Sequence, residues 1–466
     1  MVTFDFHSTH PFMKYTAILL LLVALYACKS PAGEKPGAGA GSLEAYVDSL
    51  VRQDFDSSRL AGMAIAVFKG DQQLLLKSYG SADLDLDVPL KSDASFEIGS
   101  VTKQFTAAAV LQLAEEGKLS LDDDFTKYVK FNTRGKKVTV RQLMNHTSGI
   151  KGYTEMEMFG DLSYQHLKRD TLLRIVEKEP FDFEPGANLI YNNTGFFLLG
   201  LVIEKVSGKN YEEYVKENLF AKAGMTNSYY GDELKVVKGR AHGYSMSEKG
   251  LVRANYLDHT WPYAAGSLCS TVEDLVKWNR ALHHGKIMSD ASYQEFLAPA
   301  VLNSGDTTRY AKGITVWSDN GTPVISHGGG IYGFLSENAY YPKDDVSVVV
   351  LVNTTGPVSP ERLALQVGKK MFGIKPYAGA TAPSDLAPYV GTFSGPGRGH
   401  EAAVNIIAKE GALWYKMGER PEAKLSYVSG NRFRAEDVTF TFSGDAGGFN
   451  TLSIDQIYGF LVLKRK

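Results

Sequence analysis

A serine and a lysine three residues apart, Ser100 and Lys103, are the first residues in this chain that could do chemistry together. They follow Gly99 and open a stretch with the apolar spacing of a helix, which stops at Gly117. Residues i and i+3 lie on one helix face, so the Lys103 amine is predicted to point at the Ser100 hydroxyl. A hydroxyl beside an amine at a helix N-terminus has the layout of an activated nucleophile.

The Ser-x-x-Lys pattern alone is weak, because the chain contains it twice. In the second match, Ser148 to Lys151, Gly149 and Gly152 interrupt any helix, so the two side chains need not share a face. The alternative for a single match is an N-cap serine followed by a solvated lysine.

A second candidate is Tyr191, in the Tyr-x-Asn sequence that ends at Asn193. It follows a Pro-Gly pair and precedes a predicted helix, so a loop could hold the phenol near a nucleophile. A phenol close to an ammonium has its phenolate favoured, which predicts that Tyr191 accepts a proton near neutral pH. Asn193 could bind the lysine or a substrate carbonyl. The alternative is a turn with a half-buried tyrosine.

A third candidate is the His-Gly-Gly-Gly sequence from His327 to Gly330, at the end of a predicted strand. Glycines there let a substrate approach the backbone, and two N–H groups aimed at one oxygen form an oxyanion hole. The spacing Gly328-x-Gly330-x-x-Gly333 also fits a dinucleotide-binding fingerprint. That interpretation is rejected because a strand pattern follows it, where the fingerprint requires a helix.

These three stretches, in this order, resemble the serine β-lactamase and penicillin-binding protein superfamily. The resemblance is greatest to the branch of class C β-lactamases, D,D-peptidases and esterases, and it runs from about residue 42 to 375. Supporting phrases are LMNHTSGI at residues 143–150, FEPG at 183–186 and AAGS at 264–267, with Asp274.

The resemblance implies a role for each matching residue. Ser100 would be the acylated nucleophile, and Lys103 would receive or shuttle its proton. Tyr191 would be the general base in acylation and the acid toward the leaving group, and Asn193 would position the substrate. The backbone N–H groups of Ser100 and Gly330 would form the oxyanion hole.

His327 departs from the β-lactamase pattern, in which a lysine stands at this place in Lys-Thr-Gly. A lysine presents a fixed cation to a carboxylate, whereas histidine is mostly neutral at pH 7. His-x-Gly is similar to the esterase and D-aminopeptidase members. The resemblance therefore implies that efficient β-lactam hydrolysis is not the main activity. His327, Gly329 and Gly330 would bind the substrate, which is expected to be a D-amino-acid peptide, an ester or a β-lactam-like amide.

Composition excludes several classes of protein. The 466 residues carry a net charge of −2, which argues against nucleic-acid binding. With 2 cysteines a disulfide framework is excluded, and the chain has no zinc-binding spacing. No metal and no cofactor is predicted. The expected partner is a small peptide, ester or amide substrate.

The N-terminus resembles a bacterial lipoprotein signal. A short apolar run from Ala17 to Leu25 ends in Leu-Tyr-Ala-Cys at Cys28, which resembles a lipobox whose cysteine is lipidated. Met13 is a better candidate for the translation start than Met1, because residues 1–12 have no recognisable role. The alternatives to a lipoprotein signal are a plain cleaved signal or an uncleaved anchor. The predicted location is the periplasmic side of a bacterial membrane, in the cell envelope, with attachment by the lipid only.

The elements that must position these side chains give an α+β class. Two early strands, a mainly helical insert and several late strands predict one antiparallel sheet flanked by helices, with a cleft where the insert meets it. Short strands with turns follow to the C-terminus. The predicted divisions are 1–28 signal peptide, 29–41 flexible tether, 42–375 hydrolase domain, 376–384 linker and 385–466 small β-barrel.

The final unit resembles the lipocalin-like barrel that follows some hydrolases of this superfamily. It contains no catalytic constellation in its sequence, so it is predicted to be a structural cap, and the alternative is a ligand- or partner-binding module. For the whole chain, the first hypothesis is a serine hydrolase acting through an acyl-enzyme. The second is a non-catalytic penicillin-binding-like protein that binds peptidoglycan fragments.

Overall fold

The computed structural model of the protein describes residues 40–54, 59–232, 234–375, 377, 379–445 and 448–466. The predicted signal peptide with Cys28 and nearly all of the predicted tether lie outside the described residues, and the predicted linker is only partly inside them. The division of the chain at these points stays a prediction.

A seven-stranded antiparallel sheet forms the centre of the larger part. In spatial order its strands are Thr315–Asp319, Thr322–Ile331, Phe334–Tyr341, Val346–Val352, Gly62–Lys69, Gln72–Asp83 and Val88–Pro89. Met63 pairs with Val352, so the early and late strands meet in mid-sheet. The sequence prediction of one sheet built from both ends of the domain is confirmed.

Two helices, Ala40–Asp54 and Pro360–Phe372, cover one face of this sheet. The second begins with Ser359 as N-cap, whose hydroxyl accepts a hydrogen bond from the Arg362 N–H, and Pro360 suits the first turn because it has no N–H to satisfy. Both helices bury an apolar stripe against the sheet.

A mainly helical part covers the opposite face. Its helices are Thr102–Glu115, Val140–Met144, Glu157–Leu162, Arg169–Val176, Asn193–Ser207, Tyr211–Val215 with Lys216–Phe220 and Ala221–Ala223, Val272–His283 and Asp290–Leu297. Short strands not predicted from the sequence join it: Phe96–Glu97, Leu189–Ile190, Tyr229–Tyr230, Tyr244–Ser247, Gly250–Arg253, Leu268–Ser270 and Thr354–Thr355. They are missed because two to four residues are too few to display a period-2 pattern.

The C-terminal strands form a nearly closed barrel. In spatial order they are Ala423–Lys424, Ala412–Met417, Glu401–Lys409, Gly391–Pro396, Gly459–Arg465, Gly448–Gln456, Val438–Asp445, Arg432–Ala435 and Ser426–Ser429. Alternate residues of Glu401–Lys409 point into an apolar interior that holds Phe393, Phe433 and Phe442. The predicted all-β unit is confirmed.

The barrel is fastened to the segment that precedes Tyr191. The short strand Leu189–Ile190 pairs antiparallel with the barrel strand Gly459–Arg465. The Asn188 Oδ1 accepts a hydrogen bond of 2.9 Å from the Val462 N–H. The barrel and the Tyr191 loop therefore share a continuous hydrogen-bonded edge.

No helix within the described residues is long and apolar enough to cross a membrane.

Candidate active site

Ser100 lies in a short 3₁₀ helix of one turn, Gly99–Val101, which leads directly into the helix Thr102–Glu115. Gly99 has φ +48°, and a Cβ there would lie 2.9 Å from the Gly330 nitrogen. This glycine lets the serine turn approach the glycine-rich strand. The predicted position of Ser100 at a helix N-terminus is confirmed.

Lys103 is completely buried in the first turn of that helix. Its Nζ lies 3.0 Å from the Ser100 Oγ, 2.8 Å from the Asn193 Oδ1 and 2.7 Å from the Ala265 carbonyl oxygen. The ammonium form donates to all three, whereas the neutral form donates to Asn193 and Ala265 and directs its lone pair at the Ser100 hydroxyl. All three partners are uncharged. The predicted approach of amine and hydroxyl across one helical turn is confirmed.

Burial lowers the pKa of Lys103 well below its ordinary value, and the positive charge of Arg398 lowers it further, against a smaller opposing effect of Glu155. No carboxylate touches the amine to compensate its charge, so the neutral form is favoured. A neutral amine 3.0 Å from a hydroxyl can accept the hydroxyl proton.

The Tyr191 ring lies beside this amine, with the Lys103 Nζ 4.8 Å from the ring centroid. Burial raises the pKa of Tyr191 above its ordinary value, and the nearby Ser100 hydroxyl offsets only part of that effect. The phenol hydroxyl makes no hydrogen bond of good geometry to the described residues. Both shifts disfavour the phenolate expected near neutral pH and favour a neutral phenol beside the amine, and the role of Tyr191 as a general base stays a prediction.

Two asparagines fix the start of the helix Asn193–Ser207. The Asn192 side chain is the N-cap and accepts a hydrogen bond of 2.9 Å from the Gly195 N–H. Asn193 accepts from the Lys103 amine and donates its Nδ2 to the Thr154 Oγ1 at 3.1 Å. Asn193 thus orients Lys103 and also lines the cleft beside Ser100.

His327 is buried, and both of its ring nitrogens are engaged. Its Nδ1 is 2.6 Å from the Gly328 carbonyl oxygen, to which it donates, so its Nε2 accepts from the Tyr310 hydroxyl at 2.9 Å. Burial lowers the pKa of His327 to about 3. The ring therefore supplies no cation, and it orients Tyr310 rather than offering a free nitrogen to a ligand.

The glycine-rich strand runs beside the serine turn. Gly330 lines the cleft together with Ser100, so the two residues whose N–H groups are predicted to form an oxyanion hole face the same cavities. Gly329 packs against the turn itself, because a Cβ there would meet the Ile98 carbonyl oxygen at 2.1 Å. Gly329 thus permits the contact between strand and turn.

Several residues around the site were not found by reading the sequence. The His146 ring packs against the Tyr191 ring with centroids 4.4 Å apart and an interplanar angle of 44°, and it accepts a hydrogen bond from the Asn192 N–H at 3.1 Å. From the barrel, the Tyr458 hydroxyl accepts a hydrogen bond of 2.6 Å from the Gly328 N–H. These contacts join distant segments, and no local pattern in the sequence signals them.

The cleft at Ser100 consists of two cavities, of about 350 and 530 Å³. Both are lined by Ser100, Asn193, Gly330 and Arg398. The smaller has an apolar wall, formed by Tyr153, Phe159, Leu257, Ile331 and Tyr332. The arrangement resembles a substrate site, in which mostly apolar walls surround a few convergent polar groups.

A larger cavity of about 680 Å³ lies between the central sheet, the helix Pro360–Phe372 and the barrel. It is lined by none of the residues Ser100, Lys103 and Tyr191. The candidate active site is placed at the smaller cavities because the hydroxyl, amine and phenol meet there. Within the described part of the chain, no group of three or more His, Cys, Asp or Glu residues could hold a metal ion.

Comparison with known proteins agrees with this geometry. The beta-lactamase family model matches residues 47–369. Penicillin-binding protein 4* of Bacillus subtilis is 28% identical over 435 residues, which cover 86% of this chain and 94% of that protein.

Two solved structures are also similar. The octameric penicillin-binding protein homologue from Pyrococcus abyssi has a TM-score of 0.64 and 25% identity, covering 91% of this chain and 99% of its own. The D-stereospecific amidohydrolase from Streptomyces sp. has a TM-score of 0.59 and 25% identity, covering 71% of this chain and 98% of its own. From the family match over most of its length, the chain belongs to the beta-lactamase family and is a serine hydrolase of the β-lactamase and penicillin-binding protein superfamily.

Proposed function

We propose that the chain hydrolyses an amide or ester in the bacterial cell envelope through an acyl-enzyme on Ser100. The observation that carries this proposal is the Lys103 Nζ at 3.0 Å from the Ser100 Oγ, with an amine that is fully buried and has only uncharged acceptors. A binding protein would gain nothing from a buried amine whose proton affinity is lowered.

In acylation, the Ser100 Oγ attacks the substrate carbonyl and its proton passes to the neutral Lys103 amine. The carbonyl oxygen gains negative charge and accepts hydrogen bonds from the Ser100 and Gly330 N–H groups. The tetrahedral intermediate then expels the amine or alcohol, which takes a proton from the Tyr191 phenol. Lys103 returns its own proton to the phenolate, so the phenol and the neutral amine are both restored.

In deacylation, water attacks the ester carbonyl on Ser100 and gives its proton to the same amine. The bond between the carbonyl carbon and the Ser100 Oγ breaks, and that oxygen recovers the proton. One water is consumed per bond cleaved, and Lys103 is again neutral.

The substrate is proposed to be a D-amino-acid peptide, another amide or an ester, in preference to a β-lactam. The neutral ring of His327 cannot provide the fixed cation that a lysine at this place would give to a β-lactam carboxylate. The similarity to a D-stereospecific amidohydrolase supports D-configured amides. The similarity to a penicillin-binding protein supports a substrate in the cell wall.

The test is active-site labelling followed by mass spectrometry. A fluorophosphonate and a fluorescent penicillin are incubated with the protein from residue 42, and with a Ser148→Ala control. A label on Ser100 in both proteins is expected. The proposal fails, and a non-catalytic binder of peptidoglycan fragments is favoured, if Ser100 stays unmodified while a related hydrolase is labelled.

A substrate panel then separates the subtypes. It compares a p-nitrophenyl ester, a D-alanyl p-nitroanilide, an acyl-D-alanyl-D-alanine peptide and a chromogenic cephalosporin. The expected order places the cephalosporin last. A kcat/KM for the cephalosporin above those of the other three would overturn the preference.

The location in the cell envelope is part of the same proposal and depends on Cys28. The expected result is incorporation of radiolabelled palmitate into the full chain, which Cys28→Ala abolishes. Equal incorporation in both proteins would contradict a lipid on this cysteine.

A further inference from the structure

The loop that joins the barrel strands Gly391–Pro396 and Glu401–Lys409 carries Arg398 into the cleft of the hydrolase part. The Arg398 Cζ lies 5.4 Å from the centroid of the Tyr191 ring, and Arg398 lines both cavities beside Ser100. A residue of the barrel therefore faces the same space as the candidate nucleophile.

Arg398 is held in place from one side only. Its Nε donates to the Glu155 Oε1 at 2.6 Å, and the same oxygen accepts from the Thr154 Oγ1 at 2.9 Å. A guanidinium has five N–H donors, and the two terminal nitrogens of Arg398 make no hydrogen bond to the described residues. Its side chain is 51% exposed, so these donors are accessible to a ligand.

The guanidinium of Arg398 has no second cationic side chain beside it among the described residues that line the two cavities. Among the described residues that line the two cavities, Arg398 is the one arginine or lysine. Lys103 lies behind Ser100 with a lowered pKa, and burial lowers the pKa of His327 to about 3. The Lys103 amine already has three partners and both His327 ring nitrogens are engaged, so neither side chain has a free donor for a substrate.

Two carboxyl groups, Glu337 and Glu361, line the larger of the two cavities. Burial raises the pKa of both groups, so neither adds a positive charge to the cavity. A carboxylate of a substrate is favoured beside Arg398, where a planar guanidinium matches it with two parallel hydrogen bonds. The cleft thus has one place for a carboxylate, within reach of Ser100.

We propose that Arg398 is a specificity-determining residue that binds a free carboxylate of the substrate, so that the barrel forms part of the substrate site. The substrate class is a short peptide or acylated amino acid whose carboxylate lies close to the bond that Ser100 attacks. The assignment deepens the proposed hydrolase function and rests on it for the position of that bond.

The kinetic test compares N-acetyl-D-alanyl-D-alanine with its C-terminal carboxamide. For each enzyme the measured quantity is the ratio of kcat/KM for the acid to kcat/KM for the amide. Arg398→Gln is expected to lower this ratio about 10- to 100-fold, the value of a charged hydrogen-bonded pair. Arg398→Lys keeps the charge without the planar fork and should recover part of the ratio.

The control is Arg420→Gln, which removes an exposed arginine elsewhere on the barrel and should leave the ratio within about twofold of wild type. If Arg398→Gln lowers both substrates equally, Arg398 serves the barrel contact and not substrate selection. Thermal unfolding of each variant shows whether the barrel is still folded.

A binding experiment separates this proposal from the proposed function. In a Ser100→Ala background, calorimetry measures the affinity for the acid and for the amide without any turnover. Preference for the acid by at least about tenfold, lost in the Arg398→Gln double variant, is expected. Equal affinities overturn the assignment of Arg398, whereas a failure to acylate Ser100 in the labelling experiment overturns the hydrolase function alone.

Discussion

The chain contains the same four-residue pattern twice, and the two copies differ in everything except their spacing. In the first, the Lys103 Nζ reaches the Ser100 Oγ at 3.0 Å. In the second, Lys151 turns away from Ser148 and donates to the Asp182 Oδ1 at 3.0 Å. The sequence pattern alone is therefore not sufficient to form the amine–hydroxyl pair.

The backbone accounts for the difference in direction. Ser100 and Lys103 stand on consecutive helical turns, which bring residues i and i+3 to one face. In the second copy Gly149 has φ +74°, and the chain runs as a loop in which the Ser148 hydroxyl accepts from the Ile150 N–H. The glycines of this copy predict that the Ser148 and Lys151 side chains need not share a face, and this prediction is confirmed.

The acceptors account for the difference in charge. Lys103 is completely buried among an amide oxygen, a carbonyl oxygen and a hydroxyl, so nothing compensates a positive charge. Lys151 has a carboxylate partner that stabilises its charged form. A buried amine with neutral acceptors is suited to take up a proton, while an ion-paired lysine is suited to hold a loop.

The first test of the difference between the two copies removes the serine hydroxyl of each. Ser100→Ala is expected to lower kcat/KM for a p-nitrophenyl ester at least about 10⁴-fold, because no acyl-enzyme can form. Ser148→Ala removes one acceptor for a buried N–H and should cost about 1 kcal/mol of stability with kcat/KM within about threefold. The measurements are steady-state kinetics and urea unfolding. Comparable losses of activity in both variants would deny any special role to Ser100.

The second test removes each amine. Lys103→Met is expected to lower kcat about 10²- to 10⁴-fold, the usual contribution of a general base. Lys151→Met breaks the ion pair with Asp182, which is expected to lower the free energy of unfolding by about 1 kcal/mol without a comparable loss in kcat. Pre-steady-state acylation should be slowed only in the first variant. Normal acylation in Lys103→Met would assign the base to another group.

The third test disturbs the glycine next to each serine. An alanine at Gly99 would place its Cβ 2.9 Å from the Gly330 nitrogen, and a left-handed φ costs an L-residue about 1–2 kcal/mol. Displacing the two oxyanion donors relative to each other should lower kcat about 10- to 100-fold.

Gly149→Ala is the matched control for that variant. Its Cβ would lie 2.1 Å from the Phe183 carbonyl oxygen, so the expected loss of stability is the larger one, about 2–4 kcal/mol. The folded fraction, titrated with an acylating inhibitor, should keep kcat within about threefold. A lower kcat per titrated site in Gly149→Ala than in Gly99→Ala would contradict the distinction between the two copies.

Much of the fold follows from the sequence because its signals are local and periodic. The strand Val346–Val352 and the helix Thr102–Glu115 are recognised as long, mainly apolar segments, and the helix Val272–His283 by its apolar stripe, and each is confirmed. The sharing of one antiparallel sheet by the early and late strands also follows from the sequence, whereas the order of the strands is known only from the structure.

The part of the site that lies on one segment was equally predictable. Ser100 and Lys103 meet because one helical turn joins them, and the resemblance of the flanking motifs directed attention to Tyr191 and Asn193. Arg398 and Tyr458 belong to the barrel, which is distant in sequence from Ser100. Because the barrel was predicted to be a structural cap, none of its residues was predicted to lie in the site. Their contacts depend on how the barrel docks, which no residue pattern encodes.

The protonation states could not be predicted for a different reason. An isolated Tyr–Lys pair favours phenolate and ammonium, but burial penalises both charged forms and raises the pKa of Tyr191 while lowering that of Lys103. The degree of burial is a property of the folded molecule. His327 shows the same effect, since its pKa of about 3 results from burial.

The smallest expected effect concerns the pH dependence of the first copy. Acylation requires neutral Lys103, so kcat/KM should fall as pH falls through the lowered pKa of this amine and stay high above it. With a pKa of about 3, His327 cannot produce a fall above about pH 4. Burial raises the pKa of Tyr191, so ionisation of its phenol is not expected to change kcat/KM near neutral pH.

A substitution of Arg398 tests this pH dependence, because its positive charge contributes to the lowered pKa of Lys103. Removing that charge in Arg398→Gln raises the pKa of Lys103, so the acid limb should move to higher pH. The measurement is kcat/KM from about pH 4 to pH 9 with a neutral ester, whose own charge does not change.

Lys151→Met is the control and should leave the limb in place, since that amine does not line the cleft. Because Arg398 is half exposed, the shift should shrink as salt rises. A limb that moves with His146→Gln and not with Arg398→Gln would show that the titrating group is the histidine packed against Tyr191 rather than the Lys103 amine.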